Sequence, residues 1–172
     1  MSNKIYFVIG KGGVGKTTVS VRLAKLLAMR RQKVLIVECN GTQQVATYFN
    51  KPKTGYSIAN LSTNISTISI TPLESIEDYV VQQLKFKRLF QLLFNNQLIA
   101  PLIEGMPGLH DAVQLGKVYD LAIQQLAGTD TWDAIIVDCP ATGHGIEFLN
   151  AANTMMNVTK VGPLYENNKI VE

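Results

Sequence analysis

The sequence predicts an α/β fold with a mostly parallel sheet and helices on both faces of that sheet. Two observations support this class. Short β-type runs are apolar almost throughout or alternate apolar with polar residues, and they lie at residues 4–9, 33–38, 65–70 and 133–137. Segments with apolar residues at helical spacing lie at residues 16–31, 74–95, 110–126 and 143–156. Buried strands interspersed with helices are typical of a parallel sheet covered on both sides.

The composition of the 172-residue chain narrows its class further. Hydrophobic residues make up 47% and charged residues 17%, which indicates one folded domain and excludes disorder. The net charge of +3 is not concentrated in a basic face, so the sequence does not indicate a nucleic-acid binder. No apolar run reaches the roughly 18 residues of a membrane span. Residues 48–64 are rich in Gly, Asn, Pro, Ser and Thr and predict a loop.

The number of cysteines and the N-terminal residues indicate the cellular compartment in which the protein is expected. Cys39 and Cys139 are too few for a disulfide framework, and the N-terminus reads directly into a strand without room for a signal peptide. We therefore expect a cytoplasmic protein. The two cysteines should be neighbours at the carboxyl edge of the sheet. Two thiols alone make an incomplete metal site, so we interpret them as small residues beside a pocket.

A glycine-rich loop joins the first predicted strand to the first predicted helix. Its residues Gly10, Gly15, Lys16 and Thr17 fit the pattern G-x-x-x-x-G-K-[ST] of a P-loop. Glycines permit backbone conformations that turn successive N–H groups inward, and the helix N-terminus adds its positive dipole. The strand before the loop and the helix after it favour a P-loop NTPase over the alternative, a glycine-rich turn without a ligand.

The motif assigns expected contacts to individual residues. The residues expected to bind the nucleotide are Gly12, Gly13, Val14, Gly15, Lys16, Thr17 and Thr18. Lys16 should reach the β- and γ-phosphates, the Thr17 hydroxyl should ligate Mg²⁺, and Thr18 is placed to bond the α-phosphate. Asp138 closes a buried strand and is the expected second support of the metal. The alternative to a metal-supporting role is that Asp138 is a strand-end carboxylate that caps the next turn.

Three segments resemble one family. Residues 11–18 (KGGVGKTT) resemble the deviant Walker A loop, K-G-G-x-G-K-T-[ST], with its extra early lysine. Residues 138–144 (DCPATGH) are similar to the D-T-A-P-T-G-H switch of the arsenite-pump (ArsA-type) ATPases, and residues 107–112 (PGLHDA) resemble that family's P-G-x-x-[DE]-A. The same family includes ATPases that target tail-anchored membrane proteins. The resemblance covers about residues 4–166.

The resemblance implies a dimeric, ATP-driven switch that uses Mg²⁺ and couples its nucleotide state to a transport or targeting partner. The dimer is a homodimer or a heterodimer with a related subunit. Lys11 matches the signature lysine that reaches the partner's phosphates, and residues 142–144 match the switch that senses the γ-phosphate. The strongly apolar segment 79–103 lies within a predicted helical subdomain, residues 74–127. It is interpreted as a groove for a hydrophobic or membrane-protein client, or as a face buried against the sheet or the dimer partner.

The sequence departs from the family pattern after the second strand. Asn40 stands where the family has an Asp that positions or deprotonates the attacking water, and an amide cannot accept that proton. Three interpretations stay open: slow hydrolysis, substitution by Glu38, or the weak half of a heterodimer. Relatives of this type also continue well past the last residue, so residues 1–172 are expected to be one domain of a truncated chain or a genuine short form.

Two other functions remain as alternatives to the ATP-driven switch. One is a nucleotide-binding regulatory subunit with little turnover, which the amide at Asn40 motivates. The other is a partitioning ATPase of the MinD or ParA type, which shares the P-loop but lacks the T-G-H switch.

Overall fold

The computed structural model describes residues 4–39, 41–84, 109–126 and 132–141. These residues form one five-stranded sheet with helices packed on it. The strands are β1 Lys4–Val8, β2 Val34–Glu38, β3 Ala59–Ser62, β4 Ile65–Ser69 and β5 Ala134–Asp138. The helices are α1 Lys16–Met29, α2 Pro72–Leu84 and α3 Leu109–Leu126, with a short 3₁₀ helix at Val45–Phe49.

The strand order is β1-β5-β2-β4-β3. β1, β5, β2 and β4 run parallel, and only β3 is antiparallel to its neighbour β4. The carboxyl ends of parallel strands meet at one edge of a sheet. Because β5 lies between β1 and β2, the segments that follow these three strands are brought together at that edge.

Strands β2, β4 and β5 are buried on both faces of the sheet, as the sequence predicts. On one face, α1 packs through Val21, Ala24 and Leu27 against strand residues that include Ile36 and Ile136. On the other face, α3 packs through Leu115, Val118 and Leu121 against strand residues that include Val37 and Val137. All five residues of β2, β4 and β5 are buried, which explains why these runs read as continuously apolar or hydroxyl-rich.

The prediction of a loop over residues 48–64 is wrong in part. The 3₁₀ helix reaches Phe49. Residues Ala59–Ser62 form β3, a short edge strand that pairs antiparallel with β4. Leu61 is buried, while Ser66 of β4 donates a hydrogen bond to the Asn60 side chain at 2.7 Å. The residues A-N-L-S do alternate apolar and polar, but four residues are too short a run to stand out among the Gly, Asn, Ser and Thr residues on both sides.

Helix ends also differ from the predicted bounds. α1 ends at Met29, two residues before the predicted end, because Arg31 adopts a left-handed conformation with φ of 61°. The predicted helix 143–156, the later part of the predicted helix 74–95 and residues 85–108 of the predicted subdomain lie outside the described residues. Within residues 4–39, 41–84, 109–126 and 132–141, none of the helices is both long enough and apolar enough to cross a membrane.

Candidate nucleotide-binding site

The glycine-rich loop runs from the end of β1 to the start of α1. Gly13 and Gly15 have φ angles of 74° and 92°, in the left-handed region where a residue with a side chain is strained. Gly15 is the N-cap of α1, and its carbonyl accepts the first helical hydrogen bond from Val19 at 3.0 Å. Ahead of it, Gly12 passes close to the segment after β5, since a Cβ added there would lie 3.5 Å from the Ala141 Cβ. The loop therefore needs glycine at positions 13 and 15 in order to turn into the helix.

The Lys16 side chain folds back over this loop. Its Nζ donates a hydrogen bond to the Lys11 carbonyl at 3.1 Å. A backbone carbonyl carries only a partial negative charge, so an anion at the loop would attract the ammonium more strongly. The side chain of Lys11 is exposed, as is that of Val14. Lys16 thus faces inward on the loop while Lys11 faces outward.

Asp138 lies at the end of β5, beside the first turn of α1. Its Oδ2 accepts a hydrogen bond from the Thr17 hydroxyl at 2.7 Å, and its Oδ1 accepts one from the Ser20 hydroxyl at 3.1 Å. The carboxylate is 0% exposed. Burial raises its pKa above the ordinary value, and the Thr17 and Ser20 hydrogen bonds and the nearby charge of Lys16 offset only part of that increase.

Glu38 ends β2 at the same register as Asp138. Its Oε1 accepts hydrogen bonds from the Thr42 hydroxyl at 2.9 Å and the Gln44 N–H at 2.7 Å, and its Oε2 accepts one from the Val45 N–H at 3.4 Å. The carboxylate therefore holds the segment that leads into the 3₁₀ helix. This contact set disfavours the interpretation in which Glu38 replaces the missing general base.

Tyr48, on the 3₁₀ helix, touches the start of α1. Its hydroxyl lies 2.7 Å from the Thr18 hydroxyl. Sequence reasoning missed this contact because the segment around Tyr48 reads as a loop. A tyrosine among turn-forming residues carries no signal of its partner, since the partner is set by the path of the chain after β2.

The ends of β2 and β4 are joined by a residue that the sequence does not single out. Gln114 of α3 is buried, and its amide donates hydrogen bonds to the Cys39 carbonyl at 2.8 Å and the Ile70 carbonyl at 3.4 Å. A glutamine within an amphipathic helix normally reads as a solvated residue. Its position against the strand ends could be found only once the packing of α3 was known.

The two cysteines follow β2 and β5 on adjacent strands, as predicted. Cys39 and Cys139 are free, buried thiols in the core on the α3 side of the sheet. Burial raises the pKa of both thiols, that of Cys139 to about 12. Both therefore stay protonated at neutral pH, and the geometry agrees with their interpretation as small core residues beside the pocket.

Other expected site residues lie outside the described residues. Asn40 and the switch at residues 142–144 are among them, so their predicted contributions stay predictions. The described residues place Lys16, Thr17 and Asp138 together at the start of α1 and Lys11 on the outer side of the same loop.

A family model for anion-transporting ATPases matches residues 3–171. The chain belongs to that family. It is similar to the ATPase BagA of Mycobacterium tuberculosis, with 27% identity over 175 residues covering 94% of this chain and 49% of the relative. It is also similar to ATPase ASNA1 homolog 2 of Paramecium tetraurelia, with 32% identity over 158 residues, 90% of this chain and 46% of the relative. The ATPase get3 of Pyrenophora tritici-repentis is 31% identical over 153 residues, 87% of this chain and 43% of the relative.

The chain thus spans about half the length of the curated relatives it matches. Family membership confirms the resemblance drawn from the P-loop and the D-C-P-A-T-G-H segment, and it confirms the predicted P-loop α/β fold. Membership in this family of ATPases implies a nucleotide, typically with Mg²⁺. Hydroxyl and carboxylate oxygens are the donors that Mg²⁺ prefers, and the Thr17 hydroxyl and the Asp138 carboxylate lie in contact beside the loop. The residues of this family member therefore fit that metal.

Two buried serines allow the contribution of a hydrogen bond to Asp138 to the stability of the fold to be measured. Ser20 donates to Asp138, whereas Ser69 Oγ has no hydrogen-bond partner among the described residues. Ser20→Ala should lower the free energy of unfolding by about 2 kcal/mol, because it removes a hydrogen bond to a buried charge. The matched control Ser69→Ala should change it by less than about 0.5 kcal/mol or increase it, since an unsatisfied hydroxyl is costly to bury. Urea unfolding of both variants makes the comparison, and equal losses would contradict it.

The raised pKa of Asp138 predicts a pH dependence of stability. The folded state holds the proton at pH values where the unfolded state, with the ordinary pKa of 3.8, has released it. The resulting stabilisation is fully present below the unfolded pKa and is lost as the pH rises through the folded pKa. Asp138→Asn should remove this loss and make the nucleotide-free protein more stable than wild type at neutral pH.

Urea unfolding at a series of pH values, without nucleotide or Mg²⁺, measures this effect. All other titrating groups are shared by the two proteins, so the difference in unfolding free energy isolates Asp138. We expect the advantage of Asp138→Asn to grow as the pH rises above about 4. A difference that does not change with pH would mean that Asp138 has the same pKa in the folded and unfolded states.

Proposed function

We propose that this chain is an ATP-binding and ATP-hydrolysing switch that works as a dimer and couples its nucleotide state to a transport or targeting partner. The observation that carries the proposal is the contact between Thr17 and Asp138 next to the glycine loop. It joins the helix that follows the loop to the end of a neighbouring buried strand. This is the pairing that phosphate-binding loops use to support a metal.

Each residue of the loop has a defined part in the proposal. Lys16 exchanges the Lys11 carbonyl for the β- and γ-phosphates, and the N–H groups of the loop and of the first turn of α1 bind phosphate oxygens. Thr17 and Asp138 would hold Mg²⁺, which when bound neutralises phosphate charge. The Thr18 hydroxyl donates a hydrogen bond to the α-phosphate. Asp138 itself is buried, which strengthens its attraction for a bound cation.

Binding is tested first by removing the phosphate-facing cation. Lys16→Ala should lower the affinity for Mg·ATP by about a hundredfold or more, because the phosphate charge loses its ammonium partner. Lys25→Ala is the matched control, since Lys25 lies on the same helix but over the Phe49 ring at 4.8 Å. Calorimetric titration of wild type and both variants gives the three affinities. If Lys16→Ala and wild type bind ATP equally, the proposed phosphate site is wrong.

Lys11 is proposed to act in the partner subunit. Its exposed side chain supports this part of the proposal, because a cation supplied across a dimer interface must extend away from its own loop. A cation inserted from a partner neutralises the charge that develops on the transferred phosphoryl group, and such groups are worth about 10³–10⁵ in turnover.

Lys11→Ala should therefore leave ATP binding by the monomer nearly unchanged and lower turnover by about a thousandfold. ATP-dependent association, followed by light scattering, should weaken in the same variant. Lys53→Ala, which removes an exposed lysine from another loop, is the control and should leave both properties unchanged. Unchanged association together with unchanged turnover in Lys11→Ala would make Lys11 an ordinary solvated lysine.

The second candidate function is a nucleotide-binding regulatory subunit with little turnover. Asn40 favours it, because an amide orients water without accepting its proton. Glu38 does not offer a ready substitute, since both of its carboxylate oxygens accept hydrogen bonds from the following segment. Single-turnover hydrolysis by wild type and Asn40→Asp separates the two functions: a gain in the variant supports slow hydrolysis limited by the missing carboxylate.

The proposed partner is a hydrophobic or membrane-protein client. The apolar residues of segment 79–103 and the family membership favour a hydrophobic or membrane-protein client over a nucleic acid. The two free thiols agree with the reducing cytoplasm that the sequence predicts.

A further inference from the structure

A contact between two side chains joins the start of α1 to the segment that follows β2. The Tyr48 hydroxyl and the Thr18 hydroxyl lie 2.7 Å apart, within the range of a strong O–H···O hydrogen bond. Thr18 is in the first turn of α1, directly after Lys16 and Thr17. Tyr48, which lies on a separate element, is therefore hydrogen-bonded to the hydroxyl that is expected to bond the α-phosphate of the nucleotide.

Tyr48 is carried on a well-anchored element. Val45 and Ala46 of the same 3₁₀ helix are buried in the core on the α1 side of the sheet. The Glu38 carboxylate holds the N–H groups of Gln44 and Val45, and the Ala46 carbonyl accepts a hydrogen bond from the Lys51 N–H at 3.1 Å. These contacts fix the backbone on both sides of Tyr48, so the phenol group is presented to Thr18 from a defined position.

The hydrogen count of the two hydroxyls decides what this contact does when a phosphate is bound. A phosphate oxygen only accepts, so Thr18 must give it its single hydrogen. The Thr18 oxygen then keeps lone pairs that accept from Tyr48, and Tyr48 must be the donor. A chain runs from Tyr48 to Thr18 to phosphate, in which every hydrogen has an acceptor and each bond polarises the next.

We propose that Tyr48 is a positioning residue for the nucleotide, which donates to Thr18 and directs the Thr18 hydrogen towards the α-phosphate. The inference rests on the proposed function, since it requires that the loop binds a nucleotide. It also connects the phosphate to Glu38, through the 3₁₀ helix that Glu38 holds. Thus the segment following Asn40 is tied to the phosphate site through Tyr48.

The test is a double-mutant cycle with Tyr48→Phe and Thr18→Val, read by calorimetric titration with Mg·ATP and with Mg·ADP. Tyr48→Phe keeps the ring and removes the donor, and it should lower the affinity for both nucleotides by about two- to tenfold. In the Thr18→Val background the same change should have no further effect, because Tyr48 acts through the Thr18 hydroxyl. Tyr56→Phe, which removes a hydroxyl bonded to Asp78 at 3.0 Å, is the matched control and should bind like wild type.

Thr18→Ser is the second background, in case Thr18→Val does not fold. It keeps the hydroxyl, so Tyr48→Phe should still cost two- to tenfold there. Equal affinities of Tyr48→Phe and wild type would overturn the inference, as would losses from Tyr48 and Thr18 that add in full or a loss confined to ATP. If wild type itself binds neither nucleotide, the proposed function fails as well, which distinguishes the two failures.

Discussion

The buried carboxylate of Asp138 is the constraint on which the rest of the site depends. A charge that is 0% exposed must be satisfied by donors within the protein or by a bound cation. Thr17 and Ser20, three residues apart and so on one face of α1, supply two hydroxyls. Their bonds hold the first turn of α1 against the end of β5. That contact fixes where the chain from β1 must turn into the helix, and Gly15 makes the turn in the left-handed conformation.

Asp138 and Glu38 are two carboxylates at the same register of the sheet, and they have different hydrogen-bond partners and different roles. Glu38 accepts two backbone N–H groups and a hydroxyl from the next few residues of its own chain, so its charge is used to build a local turn. Asp138 accepts hydroxyls from a helix distant in sequence, and burial keeps its pKa raised despite them. A charge left partly unstabilised by its own protein is the one that a cation would stabilise further. Of the two, Asp138 is therefore the one proposed to support the metal.

The sequence predicts most of this architecture because the decisive signals are local. The P-loop residues, the apolar strands and the carboxylate of Asp138 each follow from a short pattern, and the packing agrees with them. What it does not predict depends on contacts between distant segments. β3 is hidden by its short length among turn-forming residues, and Tyr48 and Gln114 meet their partners only through the path of the chain. The parts that Lys11 and Asn40 play depend on a partner subunit or on residues outside the described ranges, and they stay predictions.

The alternation of side chains at the strand ends explains why one edge of the sheet serves both as core and as site. Glu38 and Asp138 lie on the face that carries α1, and the next residues, Cys39 and Cys139, lie in the core on the α3 side. Gln114 seals this second side by bonding the Cys39 and Ile70 carbonyls. A small apolar thiol continues the core one residue past the last strand pair without adding a charge under the glycine-rich loop. The two cysteines thus lie behind the two carboxylates, in the packed core on the other face of the sheet.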